Sequence, residues 1–277
     1  MRYSISEGLT AAADVAGPVD RSSVILLHGG GQTRHSWGGA MKALVAAGYH
    51  VINLDARGHG DSDWSPIGDY SLDALSADLA AVCATLPTPP ALVGASMGGA
   101  TALNAIGAHR LQAGALVLVD IVPRIEAEGG AKIIAFMRAH TDGFDSVEAA
   151  ADAVTAFYPQ RPRPANPAGL MKNLRRRADG RLYWHWDPRV VELRNPAEPP
   201  RFTEQLLAAC EGVTVPSLLV RGLSSDIVSE AGIDELRTRL PQLQVLNVSG
   251  AGHMVAGDKN DAFNQGVIEF LLQHLPP

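Results

Sequence analysis

Short apolar runs recur along the chain, separated by segments with helical spacing. The runs are Val24–Leu27, Val51–Leu54, Ala91–Val93, Ala115–Val119, Ser217–Val220 and Val245–Val248. They are nearly continuous rather than alternating, which predicts strands buried on both faces and hence a parallel sheet. Between them, Leu72, Leu75, Leu79 and Val82 fall on one face of a helix, as do Val267, Phe270, Leu271 and His274. Strand–helix alternation of this kind predicts a doubly wound α/β fold.

The rhythm breaks between Pro123 and Pro200. Val147–Phe157 reads as helix and Tyr158–Pro167 as loop, with no strong strand run. A basic cluster, Arg175-Arg176-Arg177, and the aromatics Phe157, Tyr158, Tyr183, Trp184 and Trp186 lie here. The stretch reads as an insertion after the Ala115–Val119 strand. It is expected at the carboxyl ends of the strands, where α/β proteins bind ligands.

Composition narrows the classes. The 277 residues are 46% hydrophobic and 19% charged, enough for a sizeable core and too apolar for a disordered chain. The net charge of −6 leaves no electrostatic footprint for nucleic acid. Cys83 and Cys210 are the two cysteines, which argues against a disulfide framework and a cysteine-based zinc site. The first twenty residues carry Glu7, Asp14 and Asp20 without a long apolar run, which argues against a secretory signal peptide. The apolar stretches are too short to span a bilayer. A cytoplasmic protein is expected, with no membrane or nucleic-acid partner. Nothing in the pattern fixes the oligomeric state.

Chemistry concentrates where strands end. Ala91–Val93 runs into Gly94-Ala95-Ser96-Met97-Gly98-Gly99, a G-x-S-x-G turn before a small-residue helical segment. Such a turn lifts the serine Oγ clear of the sheet, beside amides at a helix N-terminus. Ser96 is therefore the candidate nucleophile. Val24–Leu27 ends in His28-Gly29-Gly30-Gly31, whose bare backbone lets a carbonyl approach closely. Gly30 N–H with Met97 N–H would form a two-donor oxyanion hole, with Gly31 an alternative to Gly30. His28 is expected to tie the loop down. His253, in Gly250-Ala251-Gly252-His253-Met254 after the final strand run, is the candidate base.

The orienting carboxylate has two candidates. Asp226 follows Ser217–Val220, and Asp120 follows Ala115–Val119; Asp226 is the preferred acid. His59, in the glycine-rich stretch Asp55–Ser62, is expected to brace this rim through hydrogen bonds, with Asp61 and Ser62 as local caps. Trp184, Trp186, Phe157, Tyr158 and Met254 are candidate substrate contacts, with packing an equal explanation. No cofactor and no metal is expected.

These motifs together resemble the serine hydrolases of the α/β-hydrolase fold, over roughly residues 22–272. The resemblance implies an eight-stranded, mostly parallel sheet flanked by helices. It also implies a helical cap, residues 123–200, inserted after the sixth strand into a core of residues 1–122 and 201–277. It implies Ser96, His253 and Asp226 as a Ser-His-Asp triad. The chain is most similar to the capped esterase and epoxide-hydrolase-like branch. Epoxide hydrolases and haloalkane dehalogenases carry a carboxylate at the elbow, whereas this chain has Ser96. The expected activity is cleavage of a small, largely apolar ester or lactone through an acyl-enzyme. The alternatives are a carbon–carbon hydrolase of aromatic degradation, with the Arg175–Arg177 run receiving a carboxylate, a perhydrolase or haloperoxidase-type activity, and a ligand receptor on a hydrolase scaffold.

Overall fold

The computed structural model describes residues 1–159, 163, 165–192, 199–253 and 260–277. Among these residues, one eight-stranded sheet runs β1-β2-β4-β3-β5-β6-β9-β10. Its strands are β1 (Arg2–Ser4), β2 (Thr10–Ala16), β3 (Ser23–Leu27), β4 (His50–Leu54), β5 (Ala91–Ala95), β6 (Ala115–Val119), β9 (Ser217–Gly222) and β10 (Leu243–Val248). From β4 to β10 all neighbours are parallel, while β1–β2 and β2–β4 are antiparallel. The sequence pattern missed β1 and β2. Thr10–Ala16 is alanine-rich and lacks the β-branched signature of a strand. Pairing with β1 on one side and β4 on the other decides its state.

Helices α1 (Gly38–Ala46), α2 (Leu72–Cys83), α3 (Met97–Gly107), α7 (Pro199–Cys210), α8 (Glu230–Arg239) and α9 (Asn260–His274) belong to the sheet unit. One face of the sheet packs with α2, α3, α7 and α8 through residues such as Ile25, Leu79, Leu103, Leu206 and Leu236. The other packs with α1 and α9 through Val24, Leu44, Val117, Phe263 and Phe270. Ser71 starts α2 by accepting the Ala74 N–H (3.2 Å), and Ser229 starts α8 by accepting that of Gly232 (3.3 Å). This two-sided burial explains the continuous apolar runs.

The segment after β6 holds α4 (Ala127–Arg138), α5 (Val147–Phe157), α6 (Arg189–Glu192) and a two-stranded antiparallel sheet. That sheet pairs β7 (Leu174–Arg176) with β8 (Leu182–Trp184), so the insert is not wholly helical as expected. Two three-residue strands are too short to leave a periodic trace. The insert has its own apolar cluster, including Met137, Phe144, Leu174, Leu182, Trp184 and Trp186. Among the described residues no helix is long and apolar enough to cross a membrane.

Candidate active site

Parallel register brings the chemistry to one edge of the sheet. Leu27 pairs with Gly94, and Ala95 with Val119. The ladder continues past the strand ends, with Ser96 N–H donating to Val119 O (3.1 Å) and Asp120 N–H to Val220 O (2.8 Å). Ser96 and Asp120 thus leave adjacent strands side by side.

Both residues have left-handed φ, +46° at Ser96 and +48° at Asp120. Neither is glycine, so each is held in a sparsely populated conformation by its surroundings. The elbow around Ser96 has no spare room. A Cβ on Gly94 would lie 2.5 Å from Gly98 backbone, and one on Gly98 would lie 2.4 Å from Leu27 O. The two glycines let the turn close and let α3 pack directly on β3. Met97 is the first residue of α3, so its N–H has no intrahelical acceptor.

The loop 28–31 sits against this elbow. A Cβ on Gly29 would lie 3.5 Å from Ser96 Cβ. His28 ties the loop down, as expected: its Nδ1–H donates to Gly29 O (2.8 Å) and its Nε2 accepts the Ala56 N–H (3.0 Å). Burial lowers the pKa of His28 against the opposing pull of Asp55, which matches a neutral ring that must accept at Nε2. His59 braces the same loop by accepting the Gly31 N–H at Nε2 (3.2 Å), with Nδ1 on Arg57 O (3.2 Å). Gly31 N–H is therefore engaged within the protein. Ser62 caps locally by donating to Asp55 O (2.7 Å), while Asp61 ion-pairs with Arg34 (2.9 Å).

The carboxylate preference is corrected by the geometry. His253 Nδ1 lies 2.7 Å from Asp120 Oδ2, and the Asp120 side chain is fully buried. Ser225 Oγ donates to the same oxygen (2.6 Å), and Gly222 N–H to Oδ1 (3.2 Å). Asp226 points elsewhere: its carboxylate is 56% exposed and its ion-pair partner is Lys132 at 3.9 Å. The local reason is the burial of Ile227 and Val228. Ser225 turns inward and accepts the N–H groups of Ile227 (3.1 Å) and Val228 (3.3 Å), which leaves Asp226 on the outside. Sequence reasoning missed Ser225, since a serine beside a better acid candidate carries no separate signal.

The insert approaches the loop through Met137. Its side-chain atoms lie 3.4 Å from where a Gly31 Cβ would be, and its sulfur 3.7 Å from that of Gly30. Trp184 and Trp186 are buried in the insert and stack on one another (centroids 5.0 Å, 9° between planes). Phe157 stacks on Phe136 at 4.3 Å and meets Tyr158 edge-on at 4.5 Å. Trp184 and Trp186 thus belong to the insert's interior, while Phe157 and Tyr158 are half-buried. Met254 lies outside the described residues. Each arginine of the basic run has a partner: Arg175 donates to Gly60 O, Arg176 to Gly180 O (2.6 Å), and Arg177 covers the Tyr183 ring (3.9 Å).

Residues 24–265 match the alpha/beta hydrolase family. The chain belongs to that family. The hydrolase is 32% identical to the esterase Rv0045c of Mycobacterium tuberculosis over 244 residues, covering 85% of this chain and 78% of the relative. It is 31% identical to the sn-1-specific diacylglycerol lipase ABHD11 of Mus musculus over 260 residues, 90% of this chain and 80% of the lipase. Among solved structures, that of E-2-(acetamidomethylene)succinate hydrolase superimposes with a TM-score of 0.85 at 26% identity, covering 98% of each chain. Relatives of this kind make the chain an ester-acting hydrolase in class.

Proposed function

We propose that this hydrolase cleaves a carboxylic ester or lactone of a small, largely apolar substrate through an acyl-enzyme on Ser96. The observation that carries the reading is the pairing of His253 Nδ1 with the buried Asp120 carboxylate, one strand from an elbow serine at φ +46°. With Nδ1–H given to Asp120, the basic nitrogen of His253 is Nε2. His253 takes the Ser96 proton as Oγ attacks the acyl carbon, then gives it to the leaving alcohol. Asp120 holds the ring's tautomer and stabilises the imidazolium, in place of the expected Asp226. Gly30 and Met97 N–H groups receive the oxyanion. Water repeats the cycle on the acyl-enzyme.

Residues 123–200 are assigned as the cap and residues 1–122 and 201–277 as the core. An apolar cluster drawn mostly from the insert, joined by Tyr70 of the core, supports the division, and Met137 against Gly30 and Gly31 supports an apolar wall beside the acyl group. Arg175, Arg176 and Arg177 each have a partner within the protein, which supports the ester reading over a carbon–carbon hydrolase that would use this run as a carboxylate receiver.

The test is hydrolysis of p-nitrophenyl esters of graded acyl length, and of simple lactones, by wild type and Ser96→Ala. Turnover is expected to fall by roughly three orders of magnitude or more in the variant. Equal turnover in the two proteins contradicts the assignment.

A further inference from the structure

His59 accepts the Gly31 N–H, and the peptide groups on either side of His59 are gripped from the insert. Asp187 N–H donates to Gly58 O (2.8 Å), Gly60 N–H donates to His185 Nδ1 (2.9 Å), and Arg175 donates to Gly60 O. Gly58 and Gly60 have φ of +74° and +56°, and a Cβ on Gly60 would lie 2.0 Å from Asp55 Oδ2. The segment is therefore close-packed and cannot yield without moving its neighbours.

His185 follows directly on β8, where the chain bends: Trp184 and Trp186 stay in the insert's apolar cluster while His185 meets Gly60. His185 is buried, and its Nδ1 is used as an acceptor. Arg175 lies opposite Tyr183 in the adjacent strand, so one hairpin supplies both grips.

We propose that His185 and Arg175 are positioning residues for the oxyanion hole: by holding the Gly60 peptide they set His59, and through the Gly31 N–H they set the Gly30 N–H. The insert thus shapes the core's transition-state donors as well as covering them. The inference rests on the serine-hydrolase reading. A displaced donor weakens binding of the oxyanion more than binding of the planar ester, so the signature is loss of kcat at held KM.

The test uses His185→Leu, which removes the acceptor, and His185→Asn, whose side-chain oxygen can stand where Nδ1 stands. Arg175→Met is the second variant, chosen because its 44% exposed side chain lies outside the apolar core. Each is assayed on a p-nitrophenyl ester. Inhibition by a trifluoromethyl ketone, which forms a tetrahedral oxyanion adduct, is compared with inhibition by the matching methyl ketone. His185→Leu is expected to lose about tenfold in kcat with KM within about twofold, and to lose trifluoromethyl-ketone affinity in parallel. His185→Asn is expected to restore most of both, and Arg175→Met to show the same pattern at about threefold. The proposal is overturned by an unchanged kcat in His185→Leu and Arg175→Met, by a KM rise at held kcat, or by equal losses of affinity for both ketones. If wild type neither turns over esters nor binds the trifluoromethyl ketone, the hydrolase reading falls first and takes this inference with it.

Discussion

At the scale of the residue, the decisive contact is His253 Nδ1 to Asp120 Oδ2 at 2.7 Å. Asp120 directly follows β6 and Asp226 lies four residues past β9, and which of them meets His253 depends on the way the loop turns, which the sequence does not show. Ile227 and Val228 go into the core, Ser225 follows them inward, and Asp226 is left against Lys132. Two predictions separate the carboxylates. Asp120→Asn is expected to lower kcat by about 10⁴ through loss of the correct imidazole tautomer, whereas Asp226→Asn stays within about twofold. Ser225→Ala removes one donor from Asp120 and is expected to cost roughly tenfold in kcat without a matching rise in KM.

Burial also sets a pH dependence at His185. Desolvation lowers its pKa from 6.5 to about 4. Above about pH 6.5 the ring is neutral in the folded and unfolded chain alike. As pH falls toward 4 the unfolded chain takes the proton and the folded chain does not, so stability is lost on acidification, by roughly 3 kcal/mol at full effect. His185→Asn is expected to flatten the fall in Tm between pH 6.5 and 4. A melt series with the same slope in both proteins would contradict that account.

At the scale of the element, the main-sheet strands from β3 to β9 were legible because burial on both faces writes a continuous apolar run, and β10, a half-buried edge strand, was legible from its β-branched and leucine residues. The exceptions were written by tertiary contacts. Thr10–Ala16 is a strand because β1 and β4 pair with it, and β7 and β8 are too short to show a period. The elbow was legible because steric demand selects particular residues: Gly94 and Gly98 stand where any Cβ would strike backbone. Gly98→Ala would drive a Cβ into Leu27 O, shifting β3 at the root of the oxyanion loop. A loss of about 2 kcal/mol or more is expected, read as a lower denaturant midpoint.

At the scale of the whole molecule, the parallel register gathers the ends of β3, β5, β6 and β9 on one edge, and the insert after β6 closes over it. Loop 55–62 joins the two, contacting the oxyanion loop through His28 and His59 and the insert through Gly58 and Gly60. Its far side is anchored by Arg57, which donates Nε–H to Asp78 Oδ2 (2.6 Å) and Nη2–H to Oδ1 (2.7 Å). Arg57 is fully buried, so Asp78→Ala leaves its charge to the longer pair with half-exposed Glu7 at 3.4 Å. That variant is expected to cost about 3–5 kcal/mol, seen as a large drop in Tm.

The central claim is that Ser96 is activated by a His253–Asp120 pair. The most direct measurement is the rate of covalent labelling by a small fluorophosphonate, with the adduct mapped by mass spectrometry, in wild type, His253→Ala and Asp120→Asn. The account predicts one adduct, on Ser96, abolished in the first variant and slowed by orders of magnitude in the second. Wild-type labelling rates in Asp120→Asn, or an adduct on another residue, would contradict it.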